Sequence, residues 1–165
     1  MTKKILLSLI TLLIAIIYLV QSYFLPVQKI VVDLSRCVDG DTAHFIVHNE
    51  DVTVRFLSID APESTNTIET FGKASAEYTC SRLENASVIE LEFDRLADKD
   101  KYDRQLAWVW VDDTLLQADL IQKGYAEVAY LYENYKYNHD VRELERQAQR
   151  NRVGLWKSQL VDLVR

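Results

Sequence analysis

The chain has 165 residues, enough for one domain with a real core, and 48% of them are hydrophobic. Its formal net charge is −6 from 25 acidic and 19 basic residues, which excludes a protein that holds nucleic acid by bulk positive charge. The first 27 residues contain two lysines and no acid, so residues 28–165 carry −8 and can attract phosphate only where basic groups are concentrated locally.

Residues Ile5 to Val20 are apolar except for Ser8 and Thr11, and Tyr23, Phe24 and Leu25 extend the run. About 21 residues at ~1.5 Å each cover the ~30 Å hydrocarbon core, so the run is expected to form a transmembrane helix. Lys3 and Lys4 precede it and no basic cluster follows closely, which places the N-terminus in the cytoplasm and the rest outside. A cleaved signal peptide is the alternative. Its apolar part would usually be ~7–15 residues and end in a small-x-small site, whereas Tyr18-Leu19-Val20-Gln21-Ser22-Tyr23 offers bulky residues. Either way the domain is expected outside the cytoplasm, held to the cell membrane by a single pass or secreted after cleavage. Residues 1–27 form the anchor or signal segment and residues 28–165 one domain, without repeats or low-complexity tracts.

Strands are expected at Lys29–Val38, Thr42–His48 and Val52–Ile59, which are β-rich or alternating. Ser87–Phe93 is a fourth, with Ile89, Leu91 and Phe93 on one face and Glu90 and Glu92 on the other; Leu106, Trp108 and Trp110 mark a fifth. Phe71, Ala74 and Tyr78 recur at helical spacing after the third strand. Leu116 and Leu120 do so between an Asp113 cap and Lys123-Gly124, and Val141, Leu144 and Ala148 do so before Gly154. Periodicity alone supports a small α+β domain. Cys37 and Cys80 have no metal-ligand spacing; an exported chain could join them, although two small buried thiols are the simpler reading. His44 and His48 are four apart but fall on a strand, with no third or fourth ligand nearby, which argues against zinc.

Three fragments carry chemistry: Val38-Asp39-Gly40-Asp41-Thr42, Arg55-Phe56-Leu57-Ser58-Ile59-Asp60-Ala61-Pro62-Glu63 and Asp100-Lys101-Tyr102-Asp103-Arg104. The first alone reads as a tight turn. Together they supply carboxylates that can hold a hard cation and guanidiniums that can fork onto phosphate.

In order and spacing these fragments resemble the thermonuclease family, the calcium-dependent nucleases related to staphylococcal nuclease, from about Lys29 to about Trp156. The resemblance implies an α+β, mainly β fold: a five-stranded OB-fold Greek-key barrel with three helices, here preceded by the transmembrane helix. It implies a monomeric Ca²⁺-dependent phosphodiesterase acting on DNA or RNA and leaving 3′-phosphorylated products. Asp41 and Asp60 are then direct calcium ligands, the Ala61 carbonyl a third, and Asp39 an acid behind them. Arg55 and Arg104 contact the scissile phosphate, Glu63 is the general base, and Lys101, Tyr102, Tyr130 and Tyr132 hold the nucleotide. Two departures from the family pattern stand out. Asp103 replaces a glycine and adds negative charge beside Arg104, and residues 64–70 contain no lysine, removing a usual contact with polymer. The rival readings are a non-catalytic OB-fold module for nucleic acid or protein and a structural domain at the envelope. The presence of Asp41, Arg55, Asp60, Glu63 and Arg104 argues against the first.

Overall fold

A computed structural model describes residues 3–24, 29–65 and 68–157. Five long strands follow the expected segments: β1 (Lys29–Cys37), β2 (Thr42–Val47), β3 (Glu50–Phe56), β5 (Ile89–Glu92) and β6 (Gln105–Val111). Three two-residue strands are added, β4 (Ile59–Asp60) between β3 and β5, and β7 (Thr114–Leu115) and β8 (Glu127–Val128) after β6. The helices are α1 (Lys3–Phe24), α2 (Gly72–Glu84), α3 (Leu116–Lys123) and α4 (Asn138–Arg150).

The long strands close on themselves. Antiparallel ladders join β3 to β2, β2 to β1, β1 to β5 and β5 to β6, and a parallel pairing of Val54–Phe56 with Gln105–Ala107 joins β6 back to β3. With α2 between the third and fourth long strands, this is the five-stranded Greek-key closure of an OB-fold barrel. A bulge around Ser35, between the pairs Leu34–Phe45 and Arg36–His44, bends β1 for the closure. Beyond Ala107 the parallel pairing stops. Buried Gln117 replaces it there, donating to the Ala107 carbonyl at 3.0 Å and accepting from the Val109 N–H at 3.1 Å.

The core follows from the two periodicities. Inward residues such as Phe45, Val54, Phe56, Leu91 and Val109 meet Leu116, Leu120 and Ile121 of α3, all fully or almost fully buried. Each large side chain taken from water contributes about 1.5–3 kcal/mol. A second cluster of Leu57, Trp108, Leu115, Tyr135 and Val141 joins the outside of the barrel to α4.

Several expectations change. The run Val52–Ile59 is two strands, because Leu57 and Ser58 turn the chain between β3 and β4, with Ser58 at φ 62°. Asp113 does not cap α3. It lies at φ 64° in the turn from β6 to β7, and α3 begins after extended Leu115. Glu92, expected on the solvent face, is 1% exposed and accepts hydrogen bonds from the Trp110 indole, the Tyr137 hydroxyl and Lys136 Nζ at 2.9, 3.0 and 2.6 Å.

The N-terminal run does form a helix, α1, whose exposed side chains include Leu7, Leu12, Leu13 and Tyr18. Among the described residues, however, no helix is long and apolar enough to cross a membrane, so the structure does not support the transmembrane expectation.

Candidate active site

The turn between β1 and β2 is fixed by its own side chains. The Asp39 carboxylate accepts the Asp41 N–H at 3.0 Å, and the Asp39 N–H donates to the Thr42 carbonyl at 3.2 Å. Gly40 lets this loop lie against two neighbours, since a Cβ there would sit 2.2 Å from Ser75 Oγ of α2 and 2.5 Å from the Ala61 Cβ. Thr79 of α2 holds the same point by donating to the Gly40 carbonyl at 2.9 Å.

Asp41 is thereby presented inward and is 5% exposed. One oxygen accepts the Thr42 hydroxyl at 2.9 Å; the other accepts the Ala61 N–H at 2.8 Å and meets Arg55 Nη2 at 3.0 Å. Arg55, equally buried, donates from the same nitrogen to Asp60 at 2.9 Å and from Nη1 to the Phe56 and Ile59 carbonyls at 3.0 and 2.8 Å. One guanidinium thus ties both carboxylates to the turn between β3 and β4. Tyr130 sits above it, its ring 5.3 Å from the guanidinium carbon and its hydroxyl donating to Asp60 at 3.3 Å.

The electrostatics bear on whether a cation fits here. Burial pushes the Asp41 carboxyl well above the usual carboxylate range, the Arg55 charge pulls it down, and the Asp39 charge raises it again. Such a carboxyl takes a cation only by giving up its proton, an exchange that a divalent ion held by further oxygen donors can drive. The adjoining donors are carboxylate and peptide oxygens, the hard set that suits Ca²⁺. Asp41, Asp60 and the main chain at Ala61 therefore fit such an ion. Among the described residues no group of three or more His, Cys, Asp or Glu side chains converges as a metal cluster. His44 instead bonds Asp51 at 2.7 Å, and His48 lies at φ 50° in the β2–β3 turn.

Arg104 is held by a carboxylate that the sequence reading did not single out. Asp100 Oδ1 accepts the Tyr102 and Arg104 N–H groups at 2.9 and 3.0 Å, closing the loop, while Oδ2 accepts Arg104 Nε and meets Nη2, both at 2.7 Å. Burial works to raise the Asp100 carboxyl, but the hydrogen bonds from Arg104 and Tyr102 outweigh it and hold the group below its ordinary value. The signal was present as an Asx turn one loop-length before an arginine. Asp103, expected to oppose Arg104, turns outward at φ 64° and pairs with Lys99 at 2.7 Å.

Arg55, Lys101, Tyr102, Arg104, Tyr130 and Tyr132 line one pocket of about 650 Å³. The Tyr102 ring lies 4.9 Å from Lys101 Nζ and 5.5 Å from the Arg104 guanidinium carbon, and Tyr130 and Tyr132 face each other at 6.1 Å. Asp41 and Asp60 adjoin this pocket through Arg55. Glu63 does not line it: its carboxylate is exposed and accepts the Thr65 hydroxyl at 3.5 Å, while its carbonyl accepts the Glu69 N–H at 2.9 Å. Glu127, opposite Asp60 in the β4–β8 ladder, was not anticipated either. Burial raises its pKa, and Asp60, Glu145 and Glu69 add to the rise.

A closed five-stranded barrel with two carboxylates on one arginine, a second arginine and a tyrosine-lined pocket defines an OB-fold protein with acidic and basic side chains gathered at one face of the barrel. The model of the staphylococcal nuclease homologue family matches residues 53–158, and the chain belongs to that family. It is 33% identical over 168 residues to the thermonuclease of Staphylococcus intermedius, covering 94% of this chain and 99% of that protein. Two proteins of Bacillus subtilis (strain 168), endonuclease YncB and the SPbeta prophage-derived endonuclease YokF, are each 36% identical over 129 residues. Those matches cover 76% of this chain but only 61% and 43% of the two relatives.

Proposed function

We propose that this protein hydrolyses phosphodiester bonds of DNA or RNA, as a monomer, with Ca²⁺ held by Asp41, Asp60 and the Ala61 carbonyl. The observation that carries the reading is the pocket joining Arg55 and Arg104 to three tyrosines, beside the two carboxylates, Asp41 and Asp60, that Arg55 ties together. The relatives' names, thermonuclease and endonuclease, support the same reading.

The ion when bound supplies Lewis acidity and charge neutralisation. Arg104 keeps one guanidinium edge on Asp100 and presents the rest to a phosphate, and Arg55 does so once its hold on Asp41 and Asp60 relaxes. Planar forks of this kind stabilise the charge that builds on five-coordinate phosphorus. Tyr102, Tyr130 and Tyr132 stack on the nucleotide, at ~1–3 kcal/mol per base. Glu63 orients or deprotonates the attacking water. Glu63 lies outside the pocket lining, so this role requires its exposed carboxylate to reach toward the substrate, and attack in line with the 5′ oxygen leaves 3′-phosphorylated products. The domain works outside the cytoplasm, with α1 associating with a membrane; the exposed apolar side chains of α1 support this.

The test is release of acid-soluble nucleotides by the full chain with calcium or with chelator. Arg104→Lys is expected to lower turnover ~10²–10³-fold, the cost of one preorganised donor, while melting stays close to that of the parent. Parental turnover in chelator would remove the metal, and near-parental cleavage by the variant would remove Arg104 from the reaction.

A further inference from the structure

The nuclease reading leaves two nucleophilic side chains unused, and the fold brings them together. Cys37 ends β1 one residue before loop 38–41, and Cys80 lies within α2. Helix and loop are in close contact through Ser75 and Thr79, one turn apart on α2, both against Gly40. Cys80 follows Thr79, and its sulfur accepts a hydrogen bond from the Cys37 thiol. Both residues are half-buried, so a small oxidant can reach them while the contact of β1 with α2 keeps them side by side.

We infer that Cys37 and Cys80 are a disulfide site, oxidised by exchange with a dithiol oxidant or with glutathione disulfide, that fastens the Asp41 loop to α2. The balance needs one external disulfide. The Cys80 thiolate attacks it and expels one thiol; the Cys37 thiolate then attacks Cys80 Sγ and expels the second. Two protons and two electrons leave the protein, and one disulfide becomes two thiols. Burial raises both thiols, but the contact between them works to raise Cys37 and to lower Cys80, so Cys80 is the first to attack. The bond closes a loop of 43 residues in the unfolded chain. Cross-links of that span raise the melting temperature by on the order of 10 °C. The nuclease reading can fail without touching this inference, because the test does not read activity.

The full chain is equilibrated with a mixture of oxidised and reduced glutathione, quenched with a maleimide and weighed intact. The expected product has lost two hydrogens, takes no maleimide, and yields on digestion a peptide pair linking Cys37 to Cys80. A phosphine reductant should lower its melting temperature by about 10 °C and leave the Cys37→Ala, Cys80→Ala double variant unmoved. Two alkylated thiols, stable glutathione adducts, or links only between chains would overturn the inference. So would an equal effect of reductant on the double variant, and that comparison stands even if either single variant folds poorly.

Discussion

The two arginines of the site are not equivalent, and their burial decides how each can be tested. Arg55 is 7% exposed and is the counter-charge of buried Asp41, so replacing it leaves a carboxylate without its partner. Breaking a buried pair from one side costs about 3–5 kcal/mol. Arg55→Lys should therefore lose stability as well as turnover, visible as a lower denaturation midpoint; an unchanged midpoint would mean that lysine satisfies Asp41 equally well. Arg104 is held from outside by Asp100 and can be probed more cleanly. Asp100→Asn keeps an oxygen for the loop N–H groups but loses the charged contact with the guanidinium, worth about 1.5–3 kcal/mol. Turnover should fall roughly tenfold to hundredfold if that contact fixes the fork, with KM changing less. The same change has a pH signature. The unfolded chain binds this proton near ~3.9, the folded one only at lower pH. The stability contributed by Asp100 is therefore complete above about pH 4 and is lost as pH falls through the lowered folded value. Melting curves of parent and variant should converge on acidification. Parallel curves down to pH 2 or so would show that Asp100 is not held in this way.

At the scale of elements, the first turn of α2 is where packing meets function. Glycine in a helix normally costs ~1 kcal/mol against alanine, so Gly72→Ala would ordinarily stabilise. Here a Cβ would lie 2.0 Å from the Glu63 carbonyl oxygen and 2.7 Å from its carbon, both main-chain atoms. Overpacking of that kind costs about 1–3 kcal/mol and outweighs the propensity gain. We expect net destabilisation and a fall in turnover, because the strain is released by moving loop 63–69. A more stable, fully active variant would show that the loop has slack. Much of this architecture was legible beforehand: the five long strands, the α2 and α4 segments and the Gly124 end of α3 follow from periods of 2 and 3.6. The misses share a physical cause. Glu92 alternates as a solvent-face residue, and only Trp110, Tyr137 and Lys136, brought in from other elements, make its burial tolerable. Asp113 has the chemistry of a cap but is used in a left-handed turn that no local pattern separates from one. At the site, the family resemblance singled out Asp41, Asp60, Arg55 and Arg104 as candidates. That Arg55 bridges Asp41 to Asp60, that Asp100 holds Arg104, and that Glu63 stands apart depend on turns between strands, which spacing does not determine.

For the molecule as a whole, the acidic balance meets a surface on which most cations near the pocket already have partners. Arg55 is bound to Asp41 and Asp60, Lys99 to Asp103, and Arg146 in the neighbouring cleft to Glu143. Lys101 and Arg104 line the main pocket, and Arg142 lines the adjoining cleft of about 440 Å³, which shares Glu133 with it. With Arg55 kept on its carboxylates until the reacting phosphate displaces them, and Arg104 offering the edge that Asp100 does not hold, roughly three groups can meet successive phosphates, and single-strand binding loses ~0.7 in log K per contact for each decade of salt. The expected slope is therefore about −2, with weak affinity for long strands against the −8 of residues 28–165. The lysine-free loop offers a way to change this without entering the pocket, since Ile68 and Thr70 are exposed and outside its lining. Ile68→Lys with Thr70→Lys should tighten binding of a single-stranded oligonucleotide in an anisotropy titration and steepen the slope by about 1.4, while cleavage of a dinucleotide stays near the parental rate. A parental slope steeper than about −4 would reveal a basic track that these contacts do not account for. An unchanged slope in the double variant would show that the strand does not pass Ile68 and Thr70.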